Sequence, residues 1–284
     1  MSDTPRIVVL GAAGQLGTAF HNLLGEGAVY LTRREADLAV PGGLAPVLDD
    51  LMPHVVLNCA AYTAVDRAES EPDLAAIVNA EAVEALARWS STNRAKLVTF
   101  STDYVFDGTK EDPYLESDPT APINIYGATK RDGEIRALDA DPDALVVRTS
   151  WVLSGTHPNF AATMLRLARE RSLTVVDDQR GHPTLVEDLA PAVMEAVSRN
   201  ASGIVHLANQ GIVSWFELAQ FVLDAAGLDP SGITPCTTDD YPLPAARPHN
   251  SVLDSERLSD LGLEPMPHFE SALQRAVASM EAGK

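Results

Sequence analysis

Short, mostly apolar runs alternate with segments of helical spacing along the first half of the chain. The apolar runs at residues 7–10, 28–31, 55–58, 97–101 and 145–148 predict strands. Apolar residues recur at intervals of three and four over residues 15–24, 44–51, 74–90 and 126–140, which predicts helices there. Strands that are apolar on both faces are typical of a parallel sheet covered by helices on both sides. With right-handed crossovers, this pattern predicts a doubly wound, Rossmann-type α/β fold.

The alternation of predicted strands and helices becomes less regular after residue 150. Helices are predicted over residues 159–171, 186–198, 215–226 and 269–280, and strands over residues 173–176 and 204–207. Residues 227–268 are rich in Pro and Gly, which predicts mostly loop. We therefore expect a dinucleotide-binding domain over residues 1–150 and a smaller, mainly substrate-binding lobe over residues 151–284. The strands near 173–176 and 204–207 are candidates to return to the main sheet, so the two parts are expected to be interleaved.

Composition narrows the classes of partner. The chain has 284 residues, with 21 Lys and Arg against 40 Asp and Glu, for a net charge of −19. Binding to nucleic acid or to an anionic membrane needs a basic surface, so both are unlikely partners on this composition. The two cysteines, Cys59 and Cys236, suggest no disulfide framework. With no secretory leader and no apolar run of about 18 residues, we expect a cytoplasmic protein.

A glycine-rich turn follows the first predicted strand. Gly11, Gly14 and Gly17 have a GxxGxxG spacing, and Gln15 and Leu16 open the next helix. The first glycine permits a tight turn, the second allows a pyrophosphate to approach the backbone, and the third lets the helix pack on the strand. Amides at the helix N-terminus then face the phosphates. A purely structural turn is the alternative reading.

The residues after the second strand bear on the choice of cofactor. Folds that bind NAD tend to place an acid there for the ribose 2′-hydroxyl, whereas this chain has Arg33 and Arg34. A guanidinium suits a 2′-phosphate, and one charge-assisted bond of about 1.5–3 kcal/mol gives roughly a tenfold to hundredfold preference. We therefore expect NADPH, with NADH left open because Glu35 and Asp37 lie close in sequence. The alternative is that these arginines are simply solvated.

Tyr126 and Lys130 form a YxxxK pair at the start of a predicted helix. Positions four apart share one face of a helix. An ammonium beside a phenol favours the phenolate, so the pair predicts a tyrosine of lowered pKa that protonates a carbonyl oxygen as hydride reaches the carbon. Thr102 ends the fourth predicted strand, at the edge where parallel sheets bind ligands, and is expected to polarise the same carbonyl. Asp103 either orients the substrate or caps the following turn.

Together these residues resemble the extended short-chain dehydrogenase/reductase superfamily and, within it, the family of dTDP-4-dehydrorhamnose reductases. The resemblance covers nearly the whole chain. The stretches that carry it are residues 11–17, 58–66, 101–108, 126–130, 148–151, 178–184 and 247–254. The first and fourth of these are shared by many relatives of the superfamily, whereas the last two are much more specific to the reductases.

The resemblance implies NADPH-dependent reduction of the 4-keto group of dTDP-4-dehydro-β-L-rhamnose to dTDP-β-L-rhamnose, a donor for cell-surface polysaccharide. It implies that Tyr126 donates the proton, that Lys130 tunes it and binds the nicotinamide ribose, and that Thr102 completes a triad. Further cofactor contacts are expected at Asp37, Leu38, Ala60, Ala61 and Tyr62. Substrate contacts are expected at Thr102, Asp103, Tyr104, Trp151 and Arg247. Arg247 suits a diphosphate, or else pairs with a nearby Asp. Trp151 is alternatively a core aromatic.

Some members of this family are described as dimers that hold Mg²⁺ between carboxylates. One of the three carboxylate positions here is Ala19, although Glu187 and Glu270 fall at the other two. We therefore predict no metal and a monomer or weak homodimer. None of the histidines has the spacing of metal ligands.

Two other functions remain as alternatives. One is an epimerase or dehydratase of nucleotide sugars from the same superfamily, which keeps its cofactor bound. The other is a non-catalytic, nucleotide-binding regulatory subunit similar to that of methionine adenosyltransferase. The presence of Thr102, Tyr126 and Lys130 favours catalysis.

Overall fold

The computed structural model describes residues 6–282. Its strands are β1 (Ile7–Leu10), β2 (Ala28–Leu31), β3 (Val55–Asn58), β4 (Lys96–Thr102), β5 (Leu145–Thr149), β6 (Val152–Leu153), β7 (Leu173–Val176), β8 (Arg180–Gly181), β9 (Thr184–Leu185), β10 (Gly203–His206), β11 (Val213–Ser214) and β12 (Ile233–Cys236). Its α-helices are α1 (Gln15–Leu24), α2 (Leu44–Leu51), α3 (Val65–Ala68), α4 (Pro72–Ala76), α5 (Ala82–Asn93), α6 (Ile125–Ala140), α7 (Phe160–Ala168), α8 (Val186–Ser198), α9 (Trp215–Ala225), α10 (Leu258–Leu261) and α11 (Phe269–Ala282).

A six-stranded sheet in the order β10-β5-β4-β3-β1-β2 forms the centre of the molecule. Every neighbouring pair in it is parallel. The order reverses between β1 and β3, so the carboxyl ends of these strands diverge and leave a crevice for a ligand. The predicted doubly wound α/β fold is confirmed.

Helices cover both faces of the sheet because each strand is apolar on both sides. One face packs against α1 and α8 through fully buried residues that include Val9, Leu57, Phe20, Leu189 and Val193. The other face packs against α2 and α5 through residues that include Val8, Leu10, Val56, Leu48 and Leu86. Burial of each such side chain contributes about 1.5–3 kcal/mol to the stability of the fold. The two packed faces therefore hold the sheet, and with it the edge that contains the crevice, in place.

The C-terminal part of the chain is divided between the sheet and a smaller lobe. β10 adds to the edge of the main sheet, whereas residues 173–176 do not return to it: β7 pairs instead with β12 in a separate two-stranded sheet. β12 and α10 both lie in the segment for which we predicted mostly loop. β12 was missed because it contains Pro235, and proline lowers the propensity for a strand. The strand forms nevertheless, because a proline is tolerated in a strand at the edge of a sheet. The lobe has its own core between α7, α9 and α11.

The predicted helix over residues 74–90 is interrupted. α4 is followed by a π-helical turn, Ile77–Glu81, before α5 begins. The side chain of Asn79, in this turn, accepts a hydrogen bond from the backbone N–H of Tyr62 at 2.8 Å and donates to Thr129 Oγ1 at 3.1 Å. π-Helical turns are frequent at functional sites, and this one joins the loop after β3 to α6.

None of the helices within residues 6–282 combines the length and hydrophobicity needed to cross a lipid bilayer.

Candidate active site

A cavity of about 770 Å³ opens along the carboxyl ends of β1, β3, β4 and β5. Of the predicted cofactor residues, those that line it are Gly11, Gly14, Gln15, Leu16, Arg33, Asp37, Leu38, Ala60, Ala61, Tyr62, Tyr126 and Lys130. Gly17 lies beneath the turn instead. Sequence reasoning missed several further lining residues, including Ser101, Thr149, Val152, His157 and Pro158.

The glycine-rich turn has the close packing that its spacing predicts. Gly11 has a φ of 73°, and a Cβ there would lie 2.7 Å from the backbone nitrogen of Ala60. A Cβ on Gly17 would overlap the carbonyl oxygen of Gly11. Gly14 is the N-cap of α1 and gives the helix no side-chain cap, and a Cβ there would lie 3.4 Å from the carbonyl oxygen of Gly11. No side chain accepts a hydrogen bond from the first amides of α1, and these amides lie beside the cavity. They form a cradle that fits a dinucleotide pyrophosphate.

The smaller lobe contacts this turn directly. His157 Nε2 lies 3.2 Å from the carbonyl oxygen of Ala13, and Gln15 Nε2 donates to the carbonyl of Val152 at 3.3 Å. Asn159 Nδ2 donates to Gln15 Oε1 at 3.2 Å. No local pattern indicates these contacts, because they join residues more than 130 positions apart.

Arg33 lies at the far end of the cavity, where the adenosine ribose would fit. Its Nε donates to Asp37 Oδ2 at 3.2 Å, and its side chain is 77% exposed. Asp37 Oδ1 also accepts a hydrogen bond from Ala39 N–H, which lowers the pKa of this carboxyl. An exposed pair of this kind contributes little to stability, so the guanidinium can exchange this partner for a phosphate.

Tyr126 and Lys130 are held by the first turns of α6. Asn124 caps the helix by accepting the N–H of Gly127 at 2.7 Å, and it donates to the carbonyl of Ala246 at 2.8 Å. A Cβ on Gly127 would overlap the carbonyl oxygen of Tyr104, so glycine allows the helix to approach the end of β4. Both functional side chains of α6 line the cavity.

The expected effect of Lys130 on Tyr126 is wrong for this structure. Burial raises the pKa of Tyr126 to about 12, and the neighbouring Thr102 hydroxyl only partly opposes this rise. Burial lowers the pKa of Lys130 to about 8, and its ammonium donates to the carbonyl of Phe100 at 2.5 Å. Because the ammonium is directed to a backbone oxygen, the loss of water around the phenol outweighs any attraction to the cation.

Thr102 and Asp103 lie at the end of β4 beside Tyr126. Thr102 Oγ1 donates to Asp103 Oδ1 at 2.9 Å and accepts the N–H of Tyr104 at 3.2 Å. Asp103 is only 2% exposed, and burial raises its pKa to about 6. Neither residue is among those that line the cavity, but Thr102 contacts Tyr126, which does.

The predicted substrate residues Tyr104 and Arg247 form one cluster. The Tyr104 ring packs edge-on against the ring of Tyr126, with 5.9 Å between centroids. Arg247 pairs with both oxygens of Asp66, and the distance from Nη2 to Oδ2 is 2.9 Å. Burial raises the pKa of the Tyr104 phenol, and the charge of the nearby Arg247 guanidinium only partly opposes this rise. Arg247 thus has the Asp partner that the sequence left as an alternative, close to the reactive tyrosine.

Trp151 is partly buried and packs against the core of the smaller lobe. Its backbone has a φ of 42°, a left-handed conformation that is costly for an aromatic residue. Its indole stacks on that of Trp215 with 3.6 Å between ring centroids. A Cβ on Gly181 would lie within 2.9 Å of three of its indole atoms, so it also packs against that glycine. This packing makes Trp151 at least partly a core aromatic.

Within residues 6–282 there is no group of three or more His, Cys, Asp or Glu side chains able to hold a metal ion. Ala19 is buried, whereas Glu187 and Glu270 are exposed.

The chain is similar to known proteins in sequence and in fold. Residues 5–282 match the family model described as RmlD substrate binding domain. The chain is 41% identical, over 97% of its length and 99% of the relative's, to the dTDP-4-dehydrorhamnose reductase of Burkholderia thailandensis. It is 39% identical, over 96% and 97% of the two lengths, to that of Salmonella typhimurium. The solved structure of dTDP-4-dehydrorhamnose reductase from Bacillus anthracis in complex with NADP superposes with a TM-score of 0.93, 36% identity and coverage of 96% and 99%.

Proposed function

The chain belongs to the family of dTDP-4-dehydrorhamnose reductases, and from this membership we propose that it uses NADPH to reduce the 4-keto group of dTDP-4-dehydro-β-L-rhamnose. The product is dTDP-β-L-rhamnose. The observation that carries the proposal is that Tyr126 and Lys130 line the same cavity as the glycine-rich turn. A proton donor and a dinucleotide cradle are the two parts that a ketone reductase needs.

Tyr126 donates a proton to the ketone oxygen, and Thr102 lies beside it at the end of β4. Lys130 is buried at the base of the cavity, where its ammonium donates a hydrogen bond to the carbonyl of Phe100. That position suits a contact with the nicotinamide ribose hydroxyls. When bound, NADPH supplies the hydride. Gly11, Gly14 and the first amides of α1 hold its phosphates, and Ala60, Ala61 and Tyr62 line the cavity beside them.

Tyr104, Trp151 and Arg247 are proposed to contact the nucleotide sugar. Support for Arg247 is its half-buried guanidinium beside Tyr104, next to the reactive ring of Tyr126. A planar guanidinium matches a diphosphate as well as it matches the carboxylate of Asp66. Binding of the substrate therefore competes with the Arg247–Asp66 pair.

We expect Arg33→Ala to raise the KM for NADPH by roughly tenfold to hundredfold and to leave the KM for NADH nearly unchanged, because a guanidinium–phosphate bond contributes about 1.5–3 kcal/mol. Initial-rate kinetics with each cofactor check this. Arg34→Ala is the matched control, since its neighbouring side chain does not line the cavity. Equal changes in both KM values would remove Arg33 from the 2′-phosphate site.

Treatment with EDTA is expected to leave turnover unchanged. The reason is that Ala19 replaces one of the carboxylates implied by the family resemblance, and hydride transfer to a ketone needs no metal here. The measurement compares rates before and after chelation and after addition of Mg²⁺. A large loss that Mg²⁺ restores would show that the prediction is wrong.

The proposed reaction is tested by following NADPH oxidation with dTDP-4-dehydro-β-L-rhamnose and identifying the product. One NADPH should be consumed for each dTDP-β-L-rhamnose formed. An epimerase or dehydratase would convert a nucleotide sugar without net consumption of NADPH. A regulatory subunit would bind the nucleotide and give no turnover. Either result would reject the proposal.

We also propose a cytoplasmic location, no nucleic-acid partner, and a monomer or weak homodimer. The support is the net charge of −19 and the two free thiols, Cys59 and Cys236.

A further inference from the structure

The chain has three tryptophans, Trp89, Trp151 and Trp215, and their indole N–H groups differ in their partners. The N–H of Trp89 donates to an Asp carboxylate at 2.7 Å, and that of Trp215 donates to Gln179 Oε1 at 3.2 Å. The N–H of Trp151 donates to no group among residues 6–282, although the ring is partly buried. Indole N–H groups in such surroundings usually have a partner, so this donor is available to a ligand.

Trp151 lies in a stretch of chain that forms part of the cavity wall. Thr149 and Val152, which flank it in the sequence, both line the cavity. Gln15, in the glycine-rich turn, donates to the carbonyl of Val152 at 3.3 Å, so this stretch runs directly beside the cofactor cradle. A sugar that accepts hydride has to lie against the cofactor, and this brings its oxygen atoms close to the same stretch.

Packing holds the Trp151 indole in one place. The ring stacks on that of Trp215 with 3.6 Å between centroids and an angle of 8° between the planes. Gly181 also lies against it, and a Cβ there would be 2.8 Å from the indole nitrogen, so any larger residue would displace the N–H group. The backbone φ of 42° is costly for an aromatic residue, and such a conformation persists only where its surroundings enforce it.

The second ring of the stack is itself fixed by the smaller lobe. Trp215 is the first residue of α9, directly after the N-cap Ser214, whose capping box sets the start of the helix. Its N–H is bound to Gln179, which is only 7% exposed. Gln179 Nε2 donates to Thr238 Oγ1 at 3.0 Å, and this second bond sets the orientation of the amide. The position of Trp215 is therefore determined before any ligand binds, and the stack passes it on to Trp151.

We propose, on the basis of the proposed function, that Trp215 is a positioning residue for the nucleotide sugar. Through the stack it holds the Trp151 indole so that the free N–H donates a hydrogen bond to an oxygen of that substrate. An indole held in place beforehand loses little freedom when the substrate binds, which favours binding. Trp215 does not line the cofactor cavity, so its effect is confined to the sugar.

The first test is Trp215→Leu, which keeps an apolar side chain in the lobe and removes the stack. We expect the KM for dTDP-4-dehydro-β-L-rhamnose to rise by roughly threefold to tenfold, the factor that an aromatic pair contributes. The kcat and the Kd for NADPH should stay at their wild-type values, and the latter reports an intact fold. Trp215→Phe keeps an aromatic ring and should recover most of the loss. Trp89→Phe is the matched control, because Trp89 lies on α5 outside the cavity, and it should leave the KM unchanged.

NMR of the indole N–H groups separates positioning from simple support of the fold. Three tryptophans give three signals, which single Trp→Phe variants assign. Saturation with dTDP-β-L-rhamnose, checked by calorimetry, should move the Trp151 signal downfield because its N–H gains an acceptor, and should leave the Trp89 signal in place. In Trp215→Leu, the Trp151 signal should lose the ring-current shift of the stack and respond less to the same sugar. A purely structural role would lower stability and leave this response unchanged.

A wild-type KM in Trp215→Leu would overturn the proposal, and so would a Trp151 signal that does not respond to the bound sugar. A wild-type protein that binds dTDP-β-L-rhamnose but does not oxidise NADPH with the keto-sugar would reject the proposed function alone. In that case the NMR comparison still decides the role of Trp215. A wild-type protein that binds no dTDP-sugar in the calorimeter would reject both.

Discussion

Replacing Tyr126 by phenylalanine is expected to reduce kcat by about 10²- to 10⁴-fold while leaving the affinity for NADPH nearly unchanged. The substitution removes the proton donor and retains the ring that packs against Tyr104. The rest of the cavity wall keeps its shape, so binding of the cofactor is unaffected. Steady-state kinetics and fluorescence titration of NADPH measure the two effects separately.

Tyr30→Phe is the matched control for this variant. Its hydroxyl donates to the carbonyl of Gly25 at 2.7 Å, away from the cavity, so its loss should leave kcat at the wild-type value. Wild-type turnover by Tyr126→Phe would mean that another group donates the proton.

The second large effect is expected on stability, from Glu134→Gln. Arg148 on β5 and Glu134 on α6 form a two-pronged ion pair, with donor–acceptor distances of 2.9 and 2.7 Å. Their side chains are 3% and 4% exposed. Loss of the Glu134 charge leaves the guanidinium buried without a counter-charge, which costs about 3–5 kcal/mol of the free energy of unfolding. Because α6 also carries Tyr126 and Lys130, this pair holds the catalytic helix against the sheet.

Urea denaturation measures this effect through the shift of the unfolding midpoint. Glu195→Gln is the control, since Glu195 pairs with Arg199 on the surface and should contribute less than about 1 kcal/mol. Replacing Arg148 and Glu134 together by apolar residues should be less destabilising than the single change, because no unpaired charge is then buried. A single variant as stable as the control would contradict this account.

Local patterns were sufficient for the sheet and the glycine-rich turn. The central strands follow from short, mostly apolar runs, and the structure has them at the predicted positions or within one residue of them. The turn follows from where Gly11 and Gly17 must pack, and both glycines are needed for close contacts that a Cβ would prevent. The glycine spacing is local and predicts the turn, whereas the partner of Gly11 in this contact, Ala60, is known only from the fold.

Features that depend on distant pairing could not be predicted. Asp66 and Arg247 are 181 positions apart, and only the folded chain shows that they form an ion pair. The stack of Trp151 on Trp215 and the contact of His157 with the turn are of the same kind. The direction of the pKa shift of Tyr126 was also missed, because the spacing of Tyr126 and Lys130 gives their shared helix face but not their burial.

The most direct test of the account uses NADPH labelled with deuterium at the transferable C4 position. After turnover with dTDP-4-dehydro-β-L-rhamnose, the account predicts one deuterium at C4 of the sugar, observed by mass spectrometry and NMR. Label that stays on the nicotinamide, or that is lost to water while product forms, would contradict direct hydride transfer in this cavity.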